Sequence, residues 1–387
     1  MTVSVTNFKY LHNLNKALKQ SGGFMYSVYD GYKKIKIDRK IFFAGANTGN
    51  GFDGRYAEIA DENKLERVYI IKGGPGCGKS TFMKKTAESA EENGFSAEYF
   101  LCGSDPDSLD CVVLDGRIAL LDGTPPHPKE MMYPGASSEI IDLTGFWNTK
   151  VLEQNREEIV ELTERKRNAY SSAYRYIKAA EAVEKDRRTL SEKIYNEDKA
   201  RKYILNFIRG NKITKDNDYS PKEYYSHALT MRGAFFTDNC KDARIIPVED
   251  RSGIAPLFME TLRHELEEKR ISHTVSILPI GRTVNSVSLD RYGICFVVSY
   301  RDSSERKINT SRFILEGKEK SLKGEMRLAG KCEKECLETA LVKLAEAAEA
   351  HFALEEIYKS AMDFDRLEKY RNEVITGIVI RLKKQSK

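Results

Sequence analysis

The feature that most constrains this chain is a glycine-rich segment, GGPGCGKS, at residues 73–80. It follows the apolar run RVYII and precedes KSTFMKKTAESAEENG, which has the composition of a helix ending near Gly94. A strand, a tight glycine turn and a helix in this order place backbone N–H groups and a helix N-terminus around one anion. The segment therefore predicts an α/β fold with a mainly parallel sheet and a phosphate site at its carboxyl edge.

The same segment matches the pattern G-x-x-x-x-G-K-[ST], so the predicted fold is P-loop NTPase-like. Lys79 is expected to reach the β- and γ-phosphates of a nucleotide, and Ser80 to ligate Mg²⁺. ATP and Mg²⁺ are thus the predicted cofactors, and Lys79 is a predicted catalytic residue. The predicted nucleotide-binding residues are Gly73, Gly74, Pro75, Gly76, Cys77, Gly78, Lys79, Ser80 and Thr81. Because a helix N-terminus lowers thiol pKa values, we hypothesise that oxidation of Cys77 blocks the nucleotide.

A second magnesium ligand is expected where a buried strand ends. The apolar run IALLD ends in Asp122, and the shorter run VVLD ends in Asp115. The longer run fits a central strand better, so Asp122 is the predicted metal ligand and catalytic residue, with Asp115 as the alternative. Gly123 follows Asp122 where many motor-type ATPases have a catalytic glutamate, which leaves the general base open.

Three more carboxylates follow the second predicted strand, FSAEYFLC. Asp105, Asp107 and Asp110 should lie at the same sheet edge as the phosphate loop, where one of them could position water or the metal. Asp105 and Asp107 are the predicted catalytic candidates, and a turn with a helix cap is the structural alternative for DPDSLD. His127 in DGTPPH is a candidate for sensing phosphate or accepting a proton, with a structural role as its alternative.

Residues 151–209 contain no glycine or proline and are rich in Glu, Lys, Arg, Ala and Tyr, which predicts two helices or one long helical arm. The segment ERKRNAYSSAYRYIK interleaves basic and aromatic residues, as nucleic-acid-binding arms do, but the acidic stretch beside it would repel phosphate. The net charge of +5, from 63 basic and 58 acidic residues, is small. We therefore interpret the segment as a solvated arm, with nucleic-acid binding as the alternative.

The two halves of the chain resemble each other, which indicates an internal duplication. Residues 245–278 align without gaps on 69–102, and shorter matches place 288–290 on 108–110, 294–298 on 118–122, 235–238 on 42–45 and 350–361 on 169–180. In this alignment Gly73, Gly78, Lys79, Ser80 and Asp122 are replaced by Glu249, Ile254, Ala255, Pro256 and Val298. The second copy is thus predicted to have lost its nucleotide site and to pack on the first as an internal pseudo-dimer. The basic residues that could complete the first site are Arg165, Arg167, Arg251 and Arg282.

Five motifs together resemble a poorly characterised bacterial family of tandem P-loop ATPases, found mostly in Firmicutes. They are FFAGANTGNGF, IIKGGPGCGKSTFMKK, EYFLCGSDPDSLD, IALLDGTPPH and YPGASSEIIDLTGFW. The resemblance is strong over residues 40–165 and faint in the C-terminal half. It implies ATP binding and hydrolysis but no substrate, because the family's role is not established. Both halves often carry a phosphate loop in that family, so the single loop here puts a two-site mechanism in doubt.

The predicted domains are an N-terminal extension (1–35), an active nucleotide-binding domain (36–150), a helical arm (151–215), a degenerate copy (216–325) and a C-terminal helical segment (326–387). The predicted function is Mg²⁺-dependent ATP hydrolysis coupled to conformational change. A small-molecule kinase and a non-hydrolysing nucleotide switch are the alternatives. Beyond the nucleotide, the expected partner is a protein or a small molecule.

Seven irregularly spaced cysteines argue against a disulfide framework and for a reducing compartment. Cys332 and Cys336 lie four residues apart but lack the second ligand pair of a structural zinc site. No apolar stretch approaches the ~20 residues that span a bilayer, and the first residues lack the apolar core of a signal peptide. We therefore expect a cytoplasmic protein without membrane contact.

Overall fold

The structure is a computed structural model that describes residues 33–34, 41–124, 130–240, 243–250, 253–299, 307–317 and 319–384. The strands up to the helical arm are β1 Lys33–Lys34, β2 Ile41–Phe43, β3 Gly45–Thr48, β4 Gly51–Gly54, β5 Arg67–Lys72, β6 Ala97–Leu101, β7 Leu109–Leu114, β8 Ile118–Asp122 and β9 Ser138–Asp142. Those after it are β10 Lys222–Tyr225, β11 His227–Thr230, β12 Gly233–Phe236, β13 Arg244–Glu249, β14 Thr274–Ile277, β15 Val284–Leu289, β16 Ile294–Ser299 and β17 Ile308–Asn309. The α-helices are α1 Tyr56–Ile59, α2 Lys79–Glu92, α3 Thr149–Gln154, α4 Arg156–Glu192, α5 Glu197–Gly210, α6 Ala255–Glu268, α7 Glu319–Ser360 and α8 Phe364–Lys384.

The chain is a mixed α/β protein in which twelve of the described strands form one sheet. Their order is β17-β13-β16-β15-β14-β10-β2-β6-β7-β8-β5-β9. The prediction of a mainly parallel sheet is wrong, because β7 runs antiparallel to both β6 and β8, and β15 antiparallel to both β14 and β16. Only β5 and β13, the strands that precede the two loop–helix units, have parallel neighbours on both sides.

A tight turn explains the antiparallel pairing of β7 with β8. Residues 115–117 connect the strands: Asp115 and Gly116, with φ values of 52° and 62°, are the central residues of the turn, and the Arg117 N–H donates to the Leu114 carbonyl over 2.9 Å. Two positive φ values in an Asp-Gly pair are typical of the tight hairpin turn that joins antiparallel strands. Asp115 and Asp122 therefore lie at opposite ends of these strands. Asp115 is too far from the phosphate loop to be the alternative metal ligand.

Both halves of the sheet have the same strand order. The order β2-β6-β7-β8-β5-β9 in the first half corresponds to β10-β14-β15-β16-β13-β17 in the second, and β2 and β10 meet antiparallel in the middle. Ile71 of β5 is opposite Asp122, and Val248 of β13 is opposite Val298, so Val298 occupies the position that corresponds to Asp122.

Several details of the sequence alignment between the halves are wrong. The loop before α6 is one residue shorter than the loop before α2, so Glu249 ends β13 where Lys72 ends β5, and it does not match Gly73. Residues 108–110 begin β7, whereas residues 288–290 end β15. Likewise 42–45 matches 224–227 rather than 235–238, because Phe43 and Tyr225 pair across the middle of the sheet.

The long helices α4 and α7 pack antiparallel, as shown by the ion pairs Arg165–Glu349 and Arg187–Glu333 near opposite ends of the pair. The ends of these two helices contradict the alignment of 350–361 with 169–180. Helix α4 continues past residue 180 to Glu192, whereas α7 already ends at Ser360. The helix after each long helix packs on the sheet of the other half. In α5, Tyr203 contacts Phe258 of α6 and the buried Phe313. In α8, Glu368 pairs with Lys85 of α2.

One pair of cysteines is bonded, although their irregular spacing in the sequence gives no sign of it. The structure joins Cys240 to Cys295 in a disulfide with a Cα–Cα distance of 5.6 Å.

Among the residues described, no helix is both long and apolar enough to cross a bilayer. Apart from Lys33–Lys34, the predicted N-terminal extension lies outside the described residues.

Candidate functional site

The glycine-rich loop connects β5 to α2, as the sequence predicts. The strand is buried from Arg67 to Ile71, and the helix begins at Lys79 with Gly78 as its N-cap. Gly76 and Gly78 have φ values of 68° and 91°, which side-chain-bearing residues rarely adopt. These conformations turn the loop back on itself and place Lys79 and Ser80 in the first helical turn.

The loop is also closely covered by other parts of the chain. A Cβ atom on Gly74 would lie 3.0 Å from the Trp147 ring, and one on Gly76 would lie 2.9 Å from the carbonyl oxygen of Glu355 in α7. The C-terminal end of α7 therefore packs against the loop itself.

Lys79 and Asp122 meet at the base of the loop. Lys79 Nζ donates to the Gly74 carbonyl over 2.8 Å and lies 3.6 Å from Asp122 Oδ2. Asp122 is buried and accepts hydrogen bonds on Oδ1 from the N–H and the hydroxyl of Thr124, over 2.8 and 2.5 Å. The structure thus brings together the predicted phosphate-binding lysine and the predicted metal-binding carboxylate.

Ser80 and Asp122 both line the cavity and offer hydroxyl and carboxylate oxygens to it. Ser80 Oγ accepts a hydrogen bond from the Leu109 N–H over 2.9 Å, which fixes the hydroxyl at the start of β7. Hydroxyl and carboxylate oxygens are the ligand types that Mg²⁺ prefers, and nucleotide phosphates and water usually complete its shell. Among the residues described, no group of three His, Cys, Asp or Glu side chains could hold a metal by itself. The residues fit a magnesium ion that arrives with a nucleotide.

The loop forms the floor of a cavity of about 1000 Å³. All nine predicted nucleotide-binding residues line it, from Gly73 to Thr81. The long helices also line the cavity, with Lys166, Arg167, Tyr170 and Tyr174 from α4, and His351, Glu355 and Lys359 from α7.

Cys77 contradicts the hypothesis of a reactive thiol. Its side chain is fully buried in the loop, and burial raises the pKa of the Cys77 thiol more than the Lys79 ammonium lowers it. A buried thiol with a raised pKa is a poor target for oxidants.

The acidic turn lies at the cavity edge, but its carboxylates have structural partners. Asp105 accepts from Ser108 Oγ over 3.2 Å and from Arg232 Nε over 2.8 Å, while the more exposed Asp107 lies 3.4 Å from the same Nε. Buried Asp110 accepts from the Tyr56 hydroxyl over 2.9 Å. Catalytic roles for Asp105 and Asp107 stay predictions.

Arg232 is the residue that sequence reasoning missed. It lies in the turn between β11 and β12, in the second half of the chain, and its guanidinium also stacks over Phe352 of α7 at 4.8 Å. The segment TMRG resembles an ordinary turn, and no motif marks it. Its relevance comes only from its long-range contact with the acidic turn.

The four arginines that are candidates to complete the site differ in where the structure places them. Arg167 lines the cavity, whereas Arg165 pairs with Glu349, and Arg282 pairs with Asp53 and Glu223 outside the cavity lining. Arg251 and His127 lie outside the described residues.

The described residues at the start of α6, in the corresponding position of the second half, are closely packed by protein atoms. Ile254 and Ala255 at the start of α6 are fully buried, and Gly253 packs against Met326 and Ser191. Glu249 at the end of β13 is paired with Lys307 over 3.0 Å. This packing is compatible with the predicted loss of a nucleotide site there.

No protein-family model matches the chain, and no curated protein or solved structure matches it significantly. The resemblance to tandem P-loop ATPases therefore stays an interpretation of the sequence motifs.

Proposed function

We propose that this chain binds a magnesium nucleoside triphosphate, with ATP as the expected nucleotide, in the cavity above residues 73–81 and hydrolyses it. The observation that carries the proposal is the position of Lys79. Its ammonium lies in the first turn of α2, 3.6 Å from Asp122 Oδ2, on the floor of a cavity large enough for a nucleotide.

The roles of the residues follow from their positions. The backbone N–H groups of the loop and the N-terminus of α2 would bind the β-phosphate. Lys79 would exchange the Gly74 carbonyl for the β- and γ-phosphates, which are stronger partners for an ammonium. Ser80 and Asp122 would hold Mg²⁺, which neutralises phosphate charge when bound.

The proposal includes the finer fold assignment. We infer that the two halves are copies of one P-loop-like unit, because six strands recur in the same order and in each half a helix of 14 residues follows the strand next to the sheet edge. The second copy would then be a scaffold that packs on the first, with α5 and α8 exchanged between them.

A non-hydrolysing switch is the second candidate, and Gly123 is the observation that favours it. A Cβ atom at this position would lie 2.3 Å from Ile70 Cγ2, so the site cannot accept a glutamate after Asp122 without rearrangement. A general base from the acidic turn would be required for rapid hydrolysis.

ATP turnover by the wild type and by Lys79→Ala, with and without a panel of metabolites, tests the proposal. Phosphate release that depends on Lys79 supports hydrolysis, and phosphate appearing on one metabolite indicates a kinase. Tight binding without turnover supports the switch. If the wild type neither binds nor turns over ATP, the proposed function is wrong.

A further inference from the structure

Helix α4 contributes the ammonium group of Lys166 to the lining of the cavity that also contains the phosphate loop. Lys166, Tyr170 and Tyr174 are spaced four residues apart on α4, so they form one stripe of the helix, and all three line the cavity. Lys166 is half-buried, and no hydrogen bond or ion pair connects its side chain to another residue that the structure describes.

The carboxylates around the cavity already have other partners. Asp122 faces Lys79, Asp105 pairs with Arg232, and Glu355 lies 3.4 Å from His351 and 3.1 Å from Lys359. The hydrogen bonds from His351 and Lys359 lower the pKa of Glu355 to about 2. The charge of this carboxylate is therefore already paired with these two residues.

The positive charge of Lys79 also acts on the ammonium group of Lys166. Burial and, secondly, the Lys79 charge lower the pKa of Lys166, which shows that bringing the two ammonium groups together in this cavity is unfavourable. A polyanion bound between them would offset this repulsion, because it would pair with both ammonium groups.

The neighbours of Lys166 do not share this environment. Arg165 is exposed and lies 2.7 Å from Glu349, and Arg167, although at the cavity rim, is exposed and lies 2.9 Å from Glu164. Of these three consecutive basic residues, only Lys166 is left without a partner of its own.

We propose that Lys166 binds the terminal phosphate of the nucleoside triphosphate and so makes the helical arm a sensor that distinguishes triphosphate from diphosphate. This inference rests on the proposed function. The loop would enclose the β-phosphate, so the group that projects past Lys79 toward α4 is the γ-phosphate.

The packing of α4 gives such a contact a route to the rest of the molecule. Helix α4 lies along α7, and the end of α7 packs against Gly74 and Gly76 in the loop. A triphosphate bound by both Lys79 and Lys166 would connect the loop to α4 directly, whereas a diphosphate would not contact Lys166.

The test compares binding of Mg-ATP, a non-hydrolysable ATP analogue and Mg-ADP to the full chain by calorimetry. Lys166→Met removes the ammonium but keeps the aliphatic stem, Lys166→Arg keeps a positive charge, and Arg165→Ala is the matched control on the same helix turn. Because hydrogen bonds to charged groups are the strong class, Lys166→Met should weaken binding of ATP and the analogue by about tenfold or more, and of ADP by less than twofold. Lys166→Arg should recover most of the loss, and Arg165→Ala should behave like the wild type.

The possible failures are distinguishable. If the wild type binds none of the three nucleotides, the proposed function falls and this inference falls with it. If the wild type binds them, while correctly folded Lys166→Met keeps the wild-type ratio of ATP to ADP affinity, the inference alone is overturned.

Discussion

Arg232 Nε lies 2.8 Å from Asp105 Oδ1, and this ion pair joins the second half of the chain to the acidic turn beside the phosphate loop. The adjacent Met231 N–H donates to the Ser104 carbonyl over 2.9 Å, so the two turns are also held by their backbones. The second half thus forms part of the surroundings of the site.

The Arg232–Asp105 pair should show measurable coupling in a double-mutant cycle. The arginine side chain is 41% exposed and the aspartate 12%, so we expect the pair to stabilise the fold by about 0.5–1 kcal/mol. Chemical unfolding of Arg232→Ala, Asp105→Asn and the double variant measures this coupling. The pair Arg167–Glu164, which is exposed on both sides, serves as the comparison and should show coupling near zero. Additive effects of the Arg232 and Asp105 variants would contradict the account.

Replacing Gly76 should disrupt the loop. In Gly76→Ala, a side chain would be forced into a φ of 68° and placed 2.9 Å from the Glu355 carbonyl oxygen. We expect a loss of about 1–3 kcal/mol in the free energy of unfolding, together with weaker nucleotide binding. Gly145→Ala is the control, since a Cβ atom there meets no heavy atom within 4 Å and its φ is not positive. Equal stability of the two variants would show that the loop does not require glycine at position 76.

Buried Glu333 predicts a pH dependence of stability. Burial raises the pKa of Glu333 to about 7 from an ordinary 4.5, although Arg187 lies 3.3 Å away and opposes the shift, and Glu184 adds to it. The folded state therefore keeps a proton that the unfolded chain releases, and the free energy of unfolding should fall as pH rises from about 4.5 to about 7. In Glu333→Gln this loss disappears, so the variant should gain on the order of 2 kcal/mol over the wild type across that window.

Urea unfolding at several pH values checks this prediction. Glu335→Gln is the matched control, since its side chain is 65% exposed on the same helix. Its stability curve should run parallel to that of the wild type. A parallel curve for Glu333→Gln as well would contradict a raised pKa in the folded protein.

The parts of the candidate site that depend on short, local sequence patterns could be predicted from the sequence. The loop at 73–81 and the strand end at Asp122 follow from short patterns, and the structure brings them together at 3.6 Å. The antiparallel direction of β7 also has a local signal, the Asp115–Gly116 pair between two apolar runs, but the same residues fit a strand that ends at Asp115 equally well.

Other features depend on contacts between distant parts of the chain and have no local signal. Lys166 and its neighbours Arg165 and Arg167 look alike in sequence, and only the packing of α4 decides that Lys166 and Arg167 line the cavity while Arg165 does not. Arg232 reaches Asp105 across 127 positions of the chain. The loop before α6 is one residue shorter than the loop before α2, and a gap-free comparison of the two halves cannot locate this difference without the strand register.

Binding of Mg-ATP to the wild type, Lys79→Ala and Lys85→Ala, measured by calorimetry on the full chain, tests the central claim most directly. Lys85 lies on the same helix, but it is exposed and paired with Glu368, outside the cavity. We expect the wild type and Lys85→Ala to bind equally, and Lys79→Ala to bind at least about tenfold more weakly. Equal binding by all three proteins, or no binding by the wild type, would show that the loop at 73–81 is not a nucleotide site.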